Sequence, residues 1–300
     1  MEIIYIDRET SEKRLEKVYG QKALAFFYGD GFLRGLLSKI FLPILAYMPF
    51  FSAWYGFLQK RPASVKKIGP FIEAYGIDSS EFLQSDFGSF NDFFIRKLRP
   101  ASRPIISDPD ALAMPADGRY LVYPTFRQFL IKGRAFSIDD FLQNTAAANR
   151  YVDGSMAIVR LCPSDYHRFH FPCGGTPSRA LLINGPLYSV NPIALRKRIS
   201  ILAENKRMIT EVEAGLFGTL LYIEIGATNV GSIRQTYVAG QPVQKGDEKG
   251  YFEFGGSCIV LLFEKGRICF DEDLVRNTEA GFETLGRFGQ SLGRPLNKLG

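Results

Sequence analysis

The sequence predicts an α+β chain: a helical, aromatic-rich region over residues 1–88, then a β-rich, barrel-sandwich-like domain over residues 89–300. Three observations carry that division. Residues 24–58 hold 11 aromatic side chains and only three charges, Asp30, Arg34 and Lys39. From about residue 111, short runs of Val, Ile, Tyr and Phe alternate with Gly and Pro turns, the texture of strands. At 300 residues, 46% hydrophobic and 23% charged, the chain can bury one large core or two small ones. The same balance excludes a disordered chain, a collagen-like repeat and a disulfide-stapled miniprotein.

The opening residues, Met1 to Glu9, show no basic stretch followed by an apolar one. Without a secretory signal a reducing compartment is expected, so Cys162, Cys173, Cys258 and Cys269 read as free thiols. Residues 40–58 are 19 consecutive uncharged positions, flanked by Lys39 and by Lys60-Arg61. A spanning helix needs ~20 apolar residues, so length alone permits a span. Pro43 and Pro49 argue against one straight helix. The wealth of Phe and Tyr and the lone Trp54 suit the lipid headgroup zone, so an interfacial, membrane-associating hairpin is expected, with a true span or buried core helices as alternatives.

Ser89-Phe90-Asn91-Asp92 reads as a capping box opening a short helix that Pro100 stops. Strands are expected at Met156–Leu161, Ala180–Ile183, Thr219–Ile225, Gly231–Tyr237 and Ile259–Phe263. One helix interrupts them, capped by Asn191, with Pro192 at its first position, and runs to about Lys206. The turn-dense stretch Tyr237–Tyr251 resembles the tight hairpins of barrel-sandwich hybrid domains. The net charge of +6 is mild. It is concentrated in Arg96, Lys97, Arg99 and Arg103, and in Arg196, Lys197, Arg198, Lys206 and Arg207. Such runs are ordinarily solvated faces.

Only two histidines are present, so His167 and His170 are the sole candidates for imidazole acid–base chemistry. With Cys162 and Cys173 they form four potential zinc ligands within 12 residues. An extended Tyr166–Phe171 stretch would point residues three apart to opposite faces, which weakens that reading. Gly289-Gln290-Ser291-Leu292-Gly293 matches a nucleophile elbow, but no His follows it. Asp117, on the turn Pro115-Ala116-Asp117-Gly118, is either a turn former or a group that orients a histidine. Gly255-Gly256-Ser257 enters a strongly apolar strand. The glycines mark a bulge or turn, or they leave a carbonyl unshielded for attack by the adjacent hydroxyl.

Four blocks in order resemble phosphatidylserine decarboxylases. They are Phe90-Asn91-Asp92-Phe93-Phe94-Ile95-Arg96-Lys97-Leu98-Arg99-Pro100, Pro115-Ala116-Asp117-Gly118, Asp165-Tyr166-His167-Arg168-Phe169-His170-Phe171-Pro172 and Gly255-Gly256-Ser257. Supporting stretches run over 184–192 and 230–233. Cys258 departs from the pattern, standing where the family usually has Thr or Ser. The resemblance implies a β-rich catalytic domain and a covalent pyruvoyl cofactor made from Ser257 by self-cleavage between Gly256 and Ser257. It implies a β chain of residues 1–256 and an α chain of residues 257–300 that stay together. By the same resemblance, His170 is the base for cleavage, oriented by Asp117, and His167 serves decarboxylation. Tyr188, Ser189 and Asn191 are substrate-pocket candidates on that basis. The reaction implied is conversion of phosphatidylserine to phosphatidylethanolamine through a Schiff base. The implied setting is peripheral, at the cytoplasmic face of the cell membrane, in a homo-oligomer of the β/α unit, with no metal and no nucleic acid. A zinc enzyme using Cys162, His167, His170 and Cys173, or a non-enzymatic membrane scaffold, are the rival readings.

Overall fold

The computed structural model describes residues 3–17, 49–126, 138–197, 200–227 and 232–296. The strands are β1 (Ile4–Asp7), β2 (Lys13–Leu15), β3 (Leu112–Ala113), β4 (Gly118–Tyr123), β5 (Ser155–Leu161), β6 (Arg168–His170), β7 (Thr176–Pro177), β8 (Leu181–Ile183), β9 (Arg207–Glu213), β10 (Thr219–Gly226), β11 (Ile233–Gln235), β12 (Glu248–Phe252), β13 (Ser257–Phe263), β14 (Cys269–Phe270), β15 (Glu283–Gly286) and β16 (Ser291–Arg294). Ten form one sheet, ordered β2-β1-β15-β4-β5-β13-β10-β9-β7, with β8 also on β9. Two three-stranded sheets, β11-β12-β6 and β14-β16-β3, complete the set. The helices are α1 (Pro49–Lys60), α2 (Ile68–Tyr75), α3 (Phe90–Phe94), α4 (Ile138–Leu142), α5 (Thr145–Arg150), α6 (Pro192–Lys197), α7 (Ile201–Glu204) and α8 (Glu272–Glu279).

The large sheet is buried on both faces at its centre. Strand β13 lies between β5 and β10, and all seven of its residues are buried. That explains its unbroken apolar run, since a strand covered on both sides has no polar face to alternate with. Cys258, Val260 and Leu262 face one core, packed with Phe141, Leu142, Leu195 and Ile201 from α4, α6 and α7. Ile259, Leu261 and Phe263 face the other, against Phe169, Phe252 and Phe270 of the small sheets. Burying each such side chain contributes about 1.5–3 kcal/mol. A third, aromatic core joins Phe71, Phe82, Phe90, Phe93 and Phe94 to Phe254, three residues before Ser257.

Several expectations change. The sheets form an open path with no closed barrel among the described residues, and the turn-dense stretch forms most of the connection between the antiparallel strands β11 and β12. The region 1–88 is not purely helical: β1 pairs in parallel with β15 at the far end of the chain. Helix α3 starts as expected, with the Ser89 hydroxyl accepting the Asp92 N–H at 3.1 Å. It ends well before Pro100, because Leu98 bridges to Phe82 and the Lys97 carbonyl accepts the Leu83 N–H. The helix after Asn191 comes in two pieces, α6 and α7, with 198–199 outside the described residues.

Part of each basic cluster is less exposed than the solvated faces expected of it. Arg96 and Arg103 are buried, and Arg207 is completely so. Arg207 donates to the carbonyls of Phe141, Asn205 and Asp140, and burial lowers its pKa to about 10. Most of the aromatic stretch 24–58 lies outside the described residues; α1 is its described end. Among the described residues no helix is long and apolar enough to cross a membrane.

Candidate active site

Ser257 opens the central strand, paired to Leu161 on β5 and to Gly226 on β10, and is fully buried. The backbone before it turns through Gly255, whose φ of 143° lies where side chains are strongly disfavoured. Gly256 differs. Among the described residues a Cβ there would meet Ala227 at 3.7 Å and Val190 at 3.8 Å, ordinary contacts. The glycine at 255 is therefore demanded by the turn, whereas the one at 256 is not demanded by space.

The Ser257 hydroxyl meets His167, Oγ to Nδ1 3.3 Å. His167 Nε2 lies 2.9 Å from the carbonyl of Cys162. A carbonyl can only accept, so Nε2 carries the hydrogen and Nδ1 keeps its lone pair towards the serine. Burial is the main cause of a His167 pKa lowered to about 3, and the nearby Arg96 guanidinium lowers it further, so the ring is neutral. Its orientation is fixed by stacking on Phe94, centroids 3.9 Å apart. The turn that delivers it is closed in both directions: Asp165 N–H donates to the Cys162 carbonyl, and its carboxylate accepts the Cys162 N–H.

His170 has the opposite arrangement. Its Nδ1 donates to the Gly246 carbonyl at 3.0 Å, which leaves Nε2 to accept the Tyr166 hydroxyl at 3.3 Å. Its ring stacks on Phe288 with centroids 3.8 Å apart. Burial lowers its pKa to about 4. Asp117 accepts the Phe288 N–H at 2.8 Å and two hydrogen bonds from the buried Arg103. Asp117 thus reaches His170 through Phe288 rather than by a hydrogen bond of its own. The structure places His167, not His170, against Ser257. The reason is the one that weakened the zinc reading: residues three apart on an extended stretch point to opposite faces.

The family model for phosphatidylserine decarboxylase matches residues 90–294. The phosphatidylserine decarboxylase proenzyme of Chlamydia pneumoniae is 44% identical over 295 residues, covering 97% of this chain and 96% of its own. Those of Chlamydia muridarum and Chlamydia caviae are 47% and 45% identical, each over 98% of this chain and over 97% and 98% of their own. The chain belongs to the phosphatidylserine decarboxylase family.

For a member of this family the pyruvoyl precursor must be a serine behind a reactive peptide bond. Ser257 fits: it follows a glycine turn, and its hydroxyl faces a neutral imidazole. The zinc set does not converge, and among the described residues no group of three His, Cys, Asp or Glu is placed to hold a metal. Cys258 points to the helix-covered core, away from the Ser257 face, and burial pushes its thiol up to about 12.

The pocket candidates lie beside the Gly256–Ser257 bond. Val190, between Ser189 and Asn191, would touch a Cβ on Gly256. The Ser189 hydroxyl accepts the Asn191 N–H at 3.2 Å. Tyr188 is buried, its backbone clasped by Asn205, which also donates to the Gly226 carbonyl opposite Ser257. Asn205, Phe94, Tyr166 and the Cys162 carbonyl were not read as site groups from the sequence. Phe94 and Tyr166 lie inside family-like blocks, but only their partners in space give them a function.

Proposed function

We propose that His167 is the acid–base group acting at position 257, and that the chain cuts itself between Gly256 and Ser257 to become active. The chain decarboxylates phosphatidylserine to phosphatidylethanolamine, using a pyruvoyl group made from its own serine. The Ser257–His167 contact carries the residue assignment.

In the uncut chain, His167 Nδ1 accepts the Ser257 proton as Oγ attacks the Gly256 carbonyl carbon. The C–N bond breaks as His167 passes that proton to the departing nitrogen, which becomes a primary amine, and Gly256 is left esterified to Oγ. Loss of the Cα proton then expels the Gly256 carboxylate and leaves dehydroalanine at 257. Addition of one water releases ammonia and gives the pyruvoyl end. The new fragment is 44 residues long and carries β13, β14, β15, β16 and α8. It stays bound because β13 remains paired on both edges and β15 lies between β1 and β4.

A pyruvoyl group supplies the electron sink that lets the serine carboxylate of the lipid leave as CO₂. In the cut enzyme His167 faces that position and delivers the proton to the substrate carbon. Its stack on Phe94 and its bond to the Cys162 carbonyl hold Nδ1 in place and keep bulk water out.

A second reading gives cleavage to His170, as the family resemblance implies. Its buried, neutral ring, with Asp117 close by, favours it. It requires His170 to leave Phe288 and reach Ser257. Intact mass separates the two. Ser257→Ala must remain one 300-residue chain, and two fragments from that variant would overturn the cleavage site. If His167→Ala stays uncut, the contact seen here performs cleavage. If His167→Ala cuts while His170→Ala does not, His167 acts in decarboxylation alone.

The site works at a lipid surface, with docking peripheral. Among the described side chains of α1, Trp54 and Phe57 are exposed aromatics, at 54% and 60% exposure. Aromatic side chains of this kind insert at the headgroup level. Trp54→Glu with Phe57→Glu should reduce sedimentation with anionic vesicles several-fold; unchanged sedimentation would remove α1 as the docking element.

A further inference from the structure

The segment 90–96, α3 and the two residues after it, touches both halves of the site. On one side, Phe94 stacks on His167. Arg96 Nη2 donates to the carbonyls of Ser164 at 3.1 Å and Asp165 at 3.2 Å, in the turn that delivers His167. The Ile95 carbonyl accepts Arg168 Nε at 2.8 Å, one residue beyond His167. On the other side, the Asn91 carboxamide oxygen accepts the Phe254 N–H at 3.0 Å. The Phe254 ring packs edge-on against Phe90 and Phe94, centroids 5.2 and 4.9 Å away.

The Phe254 contact lies at a gap in the sheet hydrogen bonding. Strand β12 ends at Phe252 and β13 begins at Ser257. The Glu253 N–H is still satisfied by the Ser232 carbonyl, but the buried Phe254 N–H goes to a side chain, that of Asn91. The two glycines that follow are the most conformationally free residues available. The backbone N–H at the entry to the cleavage turn is therefore held by a carboxamide, itself buried and anchored in α3. That helix is fixed in turn by the Ser64 hydroxyl, which accepts the Phe90 N–H at 2.8 Å.

We propose that Asn91 is a positioning residue for self-cleavage: its carboxamide sets the backbone before Gly255-Gly256 so that Ser257 Oγ can attack the Gly256 carbonyl. Attack requires the oxygen and the carbonyl carbon at near-contact distance and angle, and small misplacements cost large factors in rate. Because α3 also carries Phe94, the helix holds hydroxyl, carbonyl and imidazole in one register. After cleavage the 254–256 segment is no longer bonded to position 257, so Asn91 matters for cutting and not for turnover of cut enzyme.

The proposal rests on the cleavage reading above, and the test separates the two. Full-length chains carrying Asn91→Leu, Asn91→Asp or no change are produced, and conversion from 300 residues to fragments of 256 and 44 is followed by mass over time. Asn91→Leu keeps the size but removes the acceptor, and should slow cutting at least about tenfold. Asn91→Asp keeps an acceptor oxygen in place and should restore the rate to within about threefold. Decarboxylation per cut chain, measured on phosphatidylserine vesicles, should be unchanged in both. If Asn91→Leu does not fold, Asn91→Ala tests the same loss without added bulk. A folded, acceptor-free variant that cuts at the parent rate overturns the proposal, as does one in which turnover per cut chain falls in step with cutting. If instead Ser257→Ala is itself cut, the cleavage reading fails and Asn91 is not what has been tested.

Discussion

His167 and His170 are three residues apart, both buried, both neutral, and both stacked on a phenylalanine, yet their hydrogen-bonding edges are reversed. His167 gives its Nε2 hydrogen to a carbonyl and leaves Nδ1 to Ser257. His170 gives its Nδ1 hydrogen to a carbonyl and leaves Nε2 to Tyr166. The stacking partners differ in origin as well. Phe94 lies in the larger of the two fragments proposed, whereas Phe288 lies in the 44-residue fragment that the proposed cleavage would create. Residue type alone does not distinguish the two rings; the carbonyl that fixes each tautomer does.

The comparison breaks most visibly in turnover. Normalised to the fraction of chain that slowly becomes cut, His167→Ala should lower kcat about a hundredfold or more, the usual value of a positioned acid–base group. The effect is read as phosphatidylethanolamine formed from phosphatidylserine vesicles. Equal losses from His167→Ala and His170→Ala, both in cut enzyme, would mean that the reversed tautomers do not divide the chemistry.

A second contrast lies in the two glycines. Gly255→Ala forces a side chain into φ 143° and should slow cutting about tenfold or more, the rate equivalent of a strain of ~1–3 kcal/mol. Gly256→Ala meets only ordinary contacts and should fold normally, with a smaller change in the cutting rate. Time courses of fragment formation rank the two. The reverse order would place the demand for glycine at the scissile residue itself.

What the sequence made legible follows from local physics. The apolar run of β13 announced a strand, and the Ser89 cap announced α3. The extended character of 166–171 already implied that its two histidines face apart. The same argument that disfavoured zinc also bears against both rings meeting one serine. What stayed hidden depends on partners distant in sequence. Arg96, Arg103 and Arg207 read as a solvated basic surface, yet carbonyls of distant turns and, for Arg103, the carboxylates of Asp117 and Glu81 draw them inside. Residues 4–15 gave no sign that they pair with β15, because that pairing joins the two ends of the chain. Asn91 read as one more helix residue, since the N–H it accepts is 163 residues away.

The smallest expected difference is in stability against pH. Both histidines are held below the ordinary value of 6.5, to about 3 and about 4, chiefly by burial. Lowering the pH through about 6.5 protonates the unfolded chain while the folded rings stay neutral, so the unfolded state binds more protons. The stability these rings contribute is therefore complete above about 6.5 and is lost as the pH falls towards their folded values. Each contributes a slope of up to about 1.4 kcal/mol per pH unit. Urea unfolding of the uncut Ser257→Ala chain between pH 7 and 5 should show this fall, in a window where most carboxylates have yet to titrate. Adding His170→Gln should remove one proton's worth of the slope and leave that of His167. A slope unchanged by the substitution would mean that the His170 ring takes up its proton as readily in the fold as in the open chain. In that case burial would not be holding it neutral against the pull of the Gly246 carbonyl, and the symmetry between the two rings would be lost.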